Sequence, residues 1–394
     1  MLAPATLRLR AGRERSLRRR HPWIFSGSVA RVAGRPAPGD TVAVEAADGT
    51  FLAWAAYSPS SQIVARVWSF DEGDVIDDVF VANRITASAR RRDPLTARTD
   101  GARLVFSEAD GVPGLIADRY GAHVITELTT AGAERWRDTI ADALAALPGI
   151  EGVYERSDVD MRQREGLEQR VGLMRGSEPP ELLTFVEDGA TYYVDVRRGH
   201  KTGFYLDQRE SRRAVADLAA GRRMLNVFAY TGAFAVVAAR AGATSTTSID
   251  SSGPALALAA RNLECNGCPP GELVEADAFA DLRRLRAQSE RYDLIVLDPP
   301  KLAHRADQVE RSTRAYKDIN LIAFQLLDPG GILVTFSCSG LLDELLFQKV
   351  VAGAALDARR EARIIGRLHQ ASDHPVHLAI PETAYLKGLV CQVD

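Results

Sequence analysis

A chain of 394 residues, 46% of them hydrophobic, holds apolar material for about two to three packed domains, which argues against a disordered chain. Four cysteines, at 265, 268, 338 and 391, are too few for a disulfide scaffold and fit a reducing compartment. No apolar run reaches membrane-spanning length and no signal-peptide core opens the chain, so the expectation is a soluble cytoplasmic protein without a membrane partner.

The formal charge of -3 hides a basic start: Arg8, Arg10, Arg13, Arg15, Arg18, Arg19, Arg20, Arg31 and Arg35 face only Glu14. Such an arm suits a polyanion, although a solvated basic face is the alternative. Thr41 to Glu45, Thr50 to Tyr57 and Ile63 to Trp68 read as short strands separated by turn residues, the pattern of a small β-barrel. Trp23 and Phe25 either stack on bases or fill that barrel. Asp71 to Asp74 reads as a linker. Val75 to Arg92 and Ala133 to Leu147 have helical spacing, and Arg103 to Phe106, Leu115 to Thr130 and Val153 to Arg156 have strand character, giving a middle α+β domain without a catalytic motif.

From Leu182 to Val196 a hairpin turns at Asp188-Gly189, and strands then alternate with helices: Arg223 to Phe228, Ser245 to Asp250, Leu273 to Glu275, Leu294 to Leu297 and Ile332 to Ser337. That order predicts a doubly wound, mostly parallel α/β sheet, whose ligands bind at the carboxyl ends of the strands. Gly232 opens the first strand-to-helix turn, where the backbone can approach a carboxylate at a helix N-terminus. The glycines of a dinucleotide loop are absent, which weakens a nicotinamide-dependent oxidoreductase reading. Asp250, eighteen positions after Gly232, suits the hydroxyls of a ribose, and Asp277 after the third strand suits an adenine amino group. A nucleoside with a carboxylate and no phosphate matches S-adenosylmethionine. Either aspartate could instead be a capping residue.

Asp298-Pro299-Pro300-Lys301 ends the fourth strand at a stiff corner, and Cys338 closes the fifth among Ser337, Ser339 and Gly340. Carbon 5 of cytosine is a poor nucleophile until a thiolate adds at carbon 6, and Cys338 is placed to supply that thiolate while Asp298 holds the base or protonates its pyrimidine nitrogen. A packed, inert thiol is the alternative reading of Cys338, and Cys391 in the apolar tail reads as one. A thiolate at neutral pH needs a positive field or hydrogen bonding nearby, and the cationic candidates are Lys301 and Lys201. Cys265-Asn266-Gly267-Cys268 reads as a helix end with a left-handed cap rather than a metal or redox pair, and no metal is expected there or at His374-Pro375-Val376-His377.

The runs G-H-K-T-G-F-Y-L-D-Q-R-E-S-R-R, L-N-V-F-A-Y-T-G-A-F-A-V, D-P-P-K, Y-K-D-I-N, V-T-F-S-C-S-G-L, D-H-P-V and Y-L-K-G, with P-W-I-F-S-G near the start, resemble the bacterial 23S rRNA cytosine-5 methyltransferase family of the RlmI type over essentially the whole chain. The resemblance implies a PUA-like domain over 1–72, a middle domain over 73–181, and a β-hairpin plus Rossmann-like class I methyltransferase domain over 182–394. It implies S-adenosylmethionine as cofactor, 23S rRNA as partner and a possible homodimer. Gln208, Arg209, Asn226, Phe228, Tyr230, Gly232, Asp250, Ser251, Asp277, Ala278 and Asp298 would line the cofactor pocket. Cys338 would be the nucleophile and Asp298 its catalytic companion. Pro299, Pro300, Lys301, Lys201, Arg18, Arg19 and Arg20 would meet the RNA. After Lys301 the chain continues Leu302-Ala303-His304, where the family often carries an aromatic residue. The same scaffold methylating a guanine N7, or a catalytically silent RNA-binding protein, are the competing functions.

Overall fold

The computed structural model describes residues 5–303 and 305–394 and divides into two compact units. The first comprises residues 1–186, 194–204 and 373–383, and the second residues 187–193, 205–372 and 384–394.

In the first unit a six-stranded sheet runs in the spatial order Trp23–Phe25, Ile63–Ser69, Phe51–Tyr57, Thr41–Glu45, Thr6–Leu9, Val29–Ala33. Its inward positions alternate as strand geometry demands: Leu7 and Leu9 are buried around an exposed Arg8, and they meet Ile24, Val42, Val44 and Val67. Ile24 is the core residue of its strand, whereas Phe25 is 48% exposed and Trp23 donates its indole N–H to Glu108 Oε1 at 2.9 Å. A five-stranded sheet follows, in the order Arg170–Gly176, Gly152–Ser157, His123–Leu128, Leu115–Tyr120, Gly101–Phe106. The helix Asp78–Arg90 and two short helices, Ala131–Arg135 and Arg137–Ala145, supply Val81, Ile85, Ile140 and Leu144 to its core. The amphipathic stretch read as one helix thus breaks at Trp136.

The first sheet keeps a core of its own up to Val67, but two of its residues also serve the next one. Ala56 and Trp68 of the first sheet belong to the same buried cluster as Val81, Leu115 and Val124. The acidic stretch read as a linker is a bonded turn, with Ser69 Oγ donating to Asp74 and Gly73 N donating to Asp71 Oδ1. Asp373–Thr383 also joins this unit: Asp373 Oδ2 accepts from Arg103 N at 3.0 Å, and its carbonyl accepts from the buried Arg92 at 2.9 Å. His374, two residues from the exposed Val376, is itself buried against Asp373.

The hairpin joins Leu183–Glu187 to Ala190–Val194 through Asp188 (φ 48°) and Gly189 (φ 75°), the left-handed pair of a two-residue β-turn. The second unit then builds seven strands: β1 (Arg223–Val227), β2 (Ser245–Asp250), β3 (Glu272–Glu275), β4 (Tyr292–Leu297), β5 (Leu327–Ser337), β6 (Ala362–His369) and β7 (Lys387–Val393). Their order is β3-β2-β1-β4-β5-β7-β6, parallel except that β7 runs antiparallel to both of its neighbours. The helices are α1 (Arg209–Ala219), α2 (Ala233–Arg240), α3 (Gly253–Cys265), α4 (Ala278–Ala287), α5 (Val309–Leu326) and α6 (Glu344–Asp357). Two hydrophobic layers flank the sheet. Leu294 and Val296 of β4 enter one while Ile295 and Leu297 enter the other, which explains why this strand is apolar at consecutive positions. At the end of α3, Gly267 (φ 65°) turns the chain and Cys268 N bonds Leu263 O at 3.0 Å, so the Cys265–Cys268 stretch forms a helix cap. Burial raises both thiols above the ordinary cysteine value. Cys391 is buried on β7, and its thiol is pushed up to about 12.

Candidate active site

The carboxyl ends of β1, β2, β4 and β5 gather the second unit's polar groups. β1 gives way to a loop in which Phe228 (φ 62°), Tyr230 (φ 48°) and Gly232 (φ 75°) all take the left-handed conformation. Two non-glycine residues in that region are strained, a cost found where a backbone is shaped for a ligand. A Cβ at Gly232 would lie 2.7 Å from that of Ala259, so both φ and space exclude a side chain.

The end of β2 is tied to this loop. Asp250 accepts from Tyr230 N through Oδ2 at 2.8 Å and from Ser252 N through Oδ1 at 2.9 Å. Each oxygen keeps a further lone pair, so the carboxylate is oriented without being saturated. Ser251 is exposed beside it. Asp277 is exposed and caps α4, its Oδ1 accepting from Ala280 N at 2.9 Å, and Ala278 is buried at the first position of that helix. The capping reading of Asp277 is therefore correct, and compatible with a ligand at its other oxygen.

Asp298 follows β4, where Gln208 Nε2 donates to its Oδ2 at 3.0 Å. Gln208 is 3% exposed, and its Oε1 has no hydrogen-bond partner. Pro299 is buried, while Pro300 and Lys301 are exposed. Leu302 packs against the core beneath the corner, and His304 lies outside the described residues. Asn226 on β1 is fully buried with neither amide atom paired. Buried polar groups ordinarily find partners, so Asn226 and Gln208 mark positions that a ligand or ordered water completes. Arg209 is engaged by the hairpin instead, its Nε donating at 3.0 Å to Glu187 Oε2, a carboxylate that also receives Arg212. This buried cluster fixes α1 to the hairpin turn.

Cys338 is half-buried just past β5, packed against the layer containing Phe234 and Phe336. β4 and β5 are hydrogen-bonded neighbours with Leu297 beside Thr335, so Asp298 and Cys338 emerge at adjacent strand ends. Two tyrosines register both groups. Tyr205, set edge-on to Tyr230 at 5.4 Å, has its pKa raised first by burial and then by negative charge at Asp298 and Cys338, among others. Burial pushes the Tyr316 phenol up to about 12, a donated hydrogen bond from Ser337 opposes this, and Cys338 and Asp298 add to the rise.

The two lysines expected beside the thiol are described each in its own unit. Lys201 belongs to the first unit, where its charge acts on Glu127. Lys301 is exposed. Lys387, at the start of β7, is a cation that registers Cys338, and Lys301 acts on Lys387 as well. Its signal in the sequence was a lysine inside the apolar run Leu386 to Val390, but only strand pairing brings it to this edge. Arg18, Arg19 and Arg20 are exposed on the first unit around the buried Leu17, with Arg20 over the Phe70 ring at 4.9 Å.

A parallel sheet of this strand order, with a left-handed loop after β1 and a fixed carboxylate after β2, defines a Rossmann-like methyltransferase domain. A PUA-like domain matches residues 7–70, and an S-adenosylmethionine-dependent methyltransferase domain matches residues 148–373. The curated relatives named Ribosomal RNA large subunit methyltransferase I include one from Photobacterium profundum, 49% identical, covering 97% of this chain and 98% of its own, and one from Shewanella frigidimarina, 50% identical, covering 98% and 99%. The chain belongs to this family of S-adenosylmethionine-dependent methyltransferases. A methyltransferase solved with SAH shares its fold at a TM-score of 0.85 and 24% identity, with 98% of this chain and 100% of that one covered. A SAM-dependent methyltransferase from Streptococcus mutans does so at 0.84, with the same identity and coverage. The cofactor is S-adenosylmethionine, and the residues present fit it: an oriented carboxylate, a loop closed to side chains at Gly232, and two buried amides with open hydrogen-bonding atoms. The nicotinamide alternative falls with this membership.

Proposed function

We propose that this chain methylates carbon 5 of a cytosine in 23S ribosomal RNA through a covalent adduct of Cys338. The observation that carries this reading is the half-buried thiol at the end of β5 beside Asp298 at the end of β4, in a chain whose relatives are named for large-subunit ribosomal RNA. The cofactor supplies an electrophilic methyl group on a sulfonium. Asp250 takes the ribose hydroxyls, Asp277 the adenine amino group, and Gln208, Asn226 and the Phe228–Gly232 loop the remaining polar edge. Arg209 supports the pocket from behind through Glu187.

Asp298, held by Gln208, orients the pyrimidine. The Cys338 thiolate adds to carbon 6, and the electron pair displaced onto carbon 5 takes the methyl group. Loss of the carbon-5 proton to a base then expels the thiolate and restores the aromatic ring. Arg18, Arg19, Arg20, Lys301 and Lys201, with the Pro299-Pro300 corner, contribute RNA contacts. Because Ala56 and Trp68 sit in a shared core, removing the first 70 residues would unfold more than an RNA arm. Point variants test that arm instead: Arg18, Arg19 and Arg20 changed together to Ala should flatten the salt dependence of single-strand binding by about 2 in log–log slope. An unchanged slope counts against this surface.

RNA carrying 5-fluorocytosine at the target cannot lose its carbon-5 substituent as a proton, so it should trap the enzyme. Cys338→Ala should lose the trapped adduct and at least about a thousandfold in turnover while still binding S-adenosylhomocysteine. Full methylation by Cys338→Ala would remove the covalent step and favour a guanine N7 target.

A further inference from the structure

Lys387 is 7% exposed, and a buried ammonium is costly unless its protons are bonded and its charge is answered. Its Nζ donates to Ser339 O at 2.6 Å and to Leu342 O at 2.7 Å, bridging the two ends of the loop that follows Cys338. The antiparallel pairing of Ser337 with Lys387 sets this side chain beside the last residue of β5. On the other side of the loop, Ser339 Oγ donates to Ala303 O at 3.3 Å and Ser339 N to Ser337 Oγ at 3.3 Å. Among the described residues no carboxylate bonds Nζ: Asp343 caps α6 through Leu346 N, and Glu344 pairs with His369 at 3.3 Å. Two neutral carbonyls satisfy protons but leave the charge unanswered.

We propose that Lys387 is a positioning residue for Cys338: its ammonium braces the loop behind the thiol and supplies the positive field in which the sulfur ionises. This rests on the reading of Cys338 as the nucleophile. Burial pulls the Lys387 pKa below the ordinary lysine value; negative charge at Cys338 opposes this most, then Glu344 and Asp343, while Lys301 adds to the lowering. Both acids are exposed and screened, which leaves the sulfur as the counter-charge inside the fold. Of the groups at this edge on other elements, Tyr205 before α1, Tyr316 on α5 and Asp298 after β4 are neutral or anionic, and Lys301, the cation beyond Asp298, is exposed and screened whereas Lys387 is buried.

The test is the pH dependence of Cys338 alkylation by iodoacetamide, in the full chain with Cys265, Cys268 and Cys391 replaced by Ala. Lys387→Met should raise the midpoint by about one pH unit, roughly a tenfold slower reaction at pH 7, and Lys387→Arg should restore it. S-adenosylhomocysteine affinity should stay within about twofold, since the brace lies beyond the cofactor residues. Should Lys387→Met prove too unstable, Lys387→Gln, which still donates to the loop carbonyls without charge, carries the same expectation. An unmoved midpoint in the neutral variant overturns the proposal, even if the rate changes at every pH, because bracing alone alters access and not ionisation. Trapping by 5-fluorocytosine is the separate measure of the covalent reading, so either idea can fail while the other stands.

Discussion

Buried polarity is handled differently in the platform of the first unit and at the strand ends of the second. In the first, buried arginines close on carboxylates: Arg92 on Asp110 at 2.6 Å, Arg103 on Asp118 at 2.7 Å and Arg66 on Glu165 at 2.9 Å. In the second, the strand ends around Cys338 bury Asn226, one oxygen of Gln208 and the charge of Lys387 without such closure. The first pattern makes a rigid platform, since a paired charge resists any rearrangement that would strand it. The second leaves donors and acceptors without a protein partner. A difference in buried chemistry thus separates scaffold from site, and within the second unit the closed Glu187–Arg209–Arg212 cluster falls on the scaffold side.

Breaking a closed pair should cost the most. Arg92→Ala leaves the buried Asp110 with only the half-exposed Arg91 and the Phe106 amide and should destabilise the protein by about 3 kcal/mol in urea unfolding. The loss should shrink in acid. Burial pushes the Asp110 carboxyl up, but the hydrogen bonds and charge of Arg92 overcome this and hold it below its ordinary value. Stability from the pair is therefore present above the unfolded carboxylate pKa and lost as pH falls through the folded one. A loss under about 1 kcal/mol at neutral pH would show that these pairs do not set the platform's rigidity.

At the open edge, Asp250→Ala should weaken S-adenosylhomocysteine binding by about 10- to 100-fold in calorimetry, the value of one or two hydrogen bonds to a charged acceptor, with little loss of stability. An unfolded protein, rather than a weakened binder, would make Asp250 a mere loop anchor through Tyr230 N and Ser252 N.

The smallest effect concerns Glu127, the exception within the platform. Burial raises its pKa to about 7, and nearby Asp118 adds to this against Arg103, Lys201 and Arg156. The protonated form then stabilises the fold fully below the unfolded carboxylate pKa, and that contribution is lost as pH rises toward 7. Glu127→Gln keeps the neutral form at every pH, so relative to wild type it should gain about 1–2 kcal/mol between pH 5 and pH 8. Parallel pH profiles for the two proteins would mean that Glu127 is ionised throughout and belongs with the closed pairs.

Much of this molecule was legible in one dimension. The strands from Thr41 to Ser69 and from Arg223 to Ser337 follow local pattern, because pleat alternation and two-sided burial each leave a periodicity in the residues themselves. Gly232, Asp250, Asp298 and Cys338 were readable because each lies at or just past a strand end, and parallel strands deliver their ends to one edge. The helix Arg209–Ala219, the strand Ala362–His369 and the break at Trp136 were not, since polar stretches take their structure from what they pack against. Nor could the pattern show that Ala56 and Trp68 fill the core of the next sheet, or that Asp373–Thr383 leaves the methyltransferase half for the first unit. The surroundings of Cys338 are the sharpest case. The sequence by itself determined that a thiol stands at a strand mouth, where the chemistry of sulfur asks for a positive field or hydrogen bonding. That Lys387 reaches this edge was decided only by the tertiary structure, where the last strand inserts antiparallel between β5 and β6 and lays Lys387 beside Ser337 from fifty positions away.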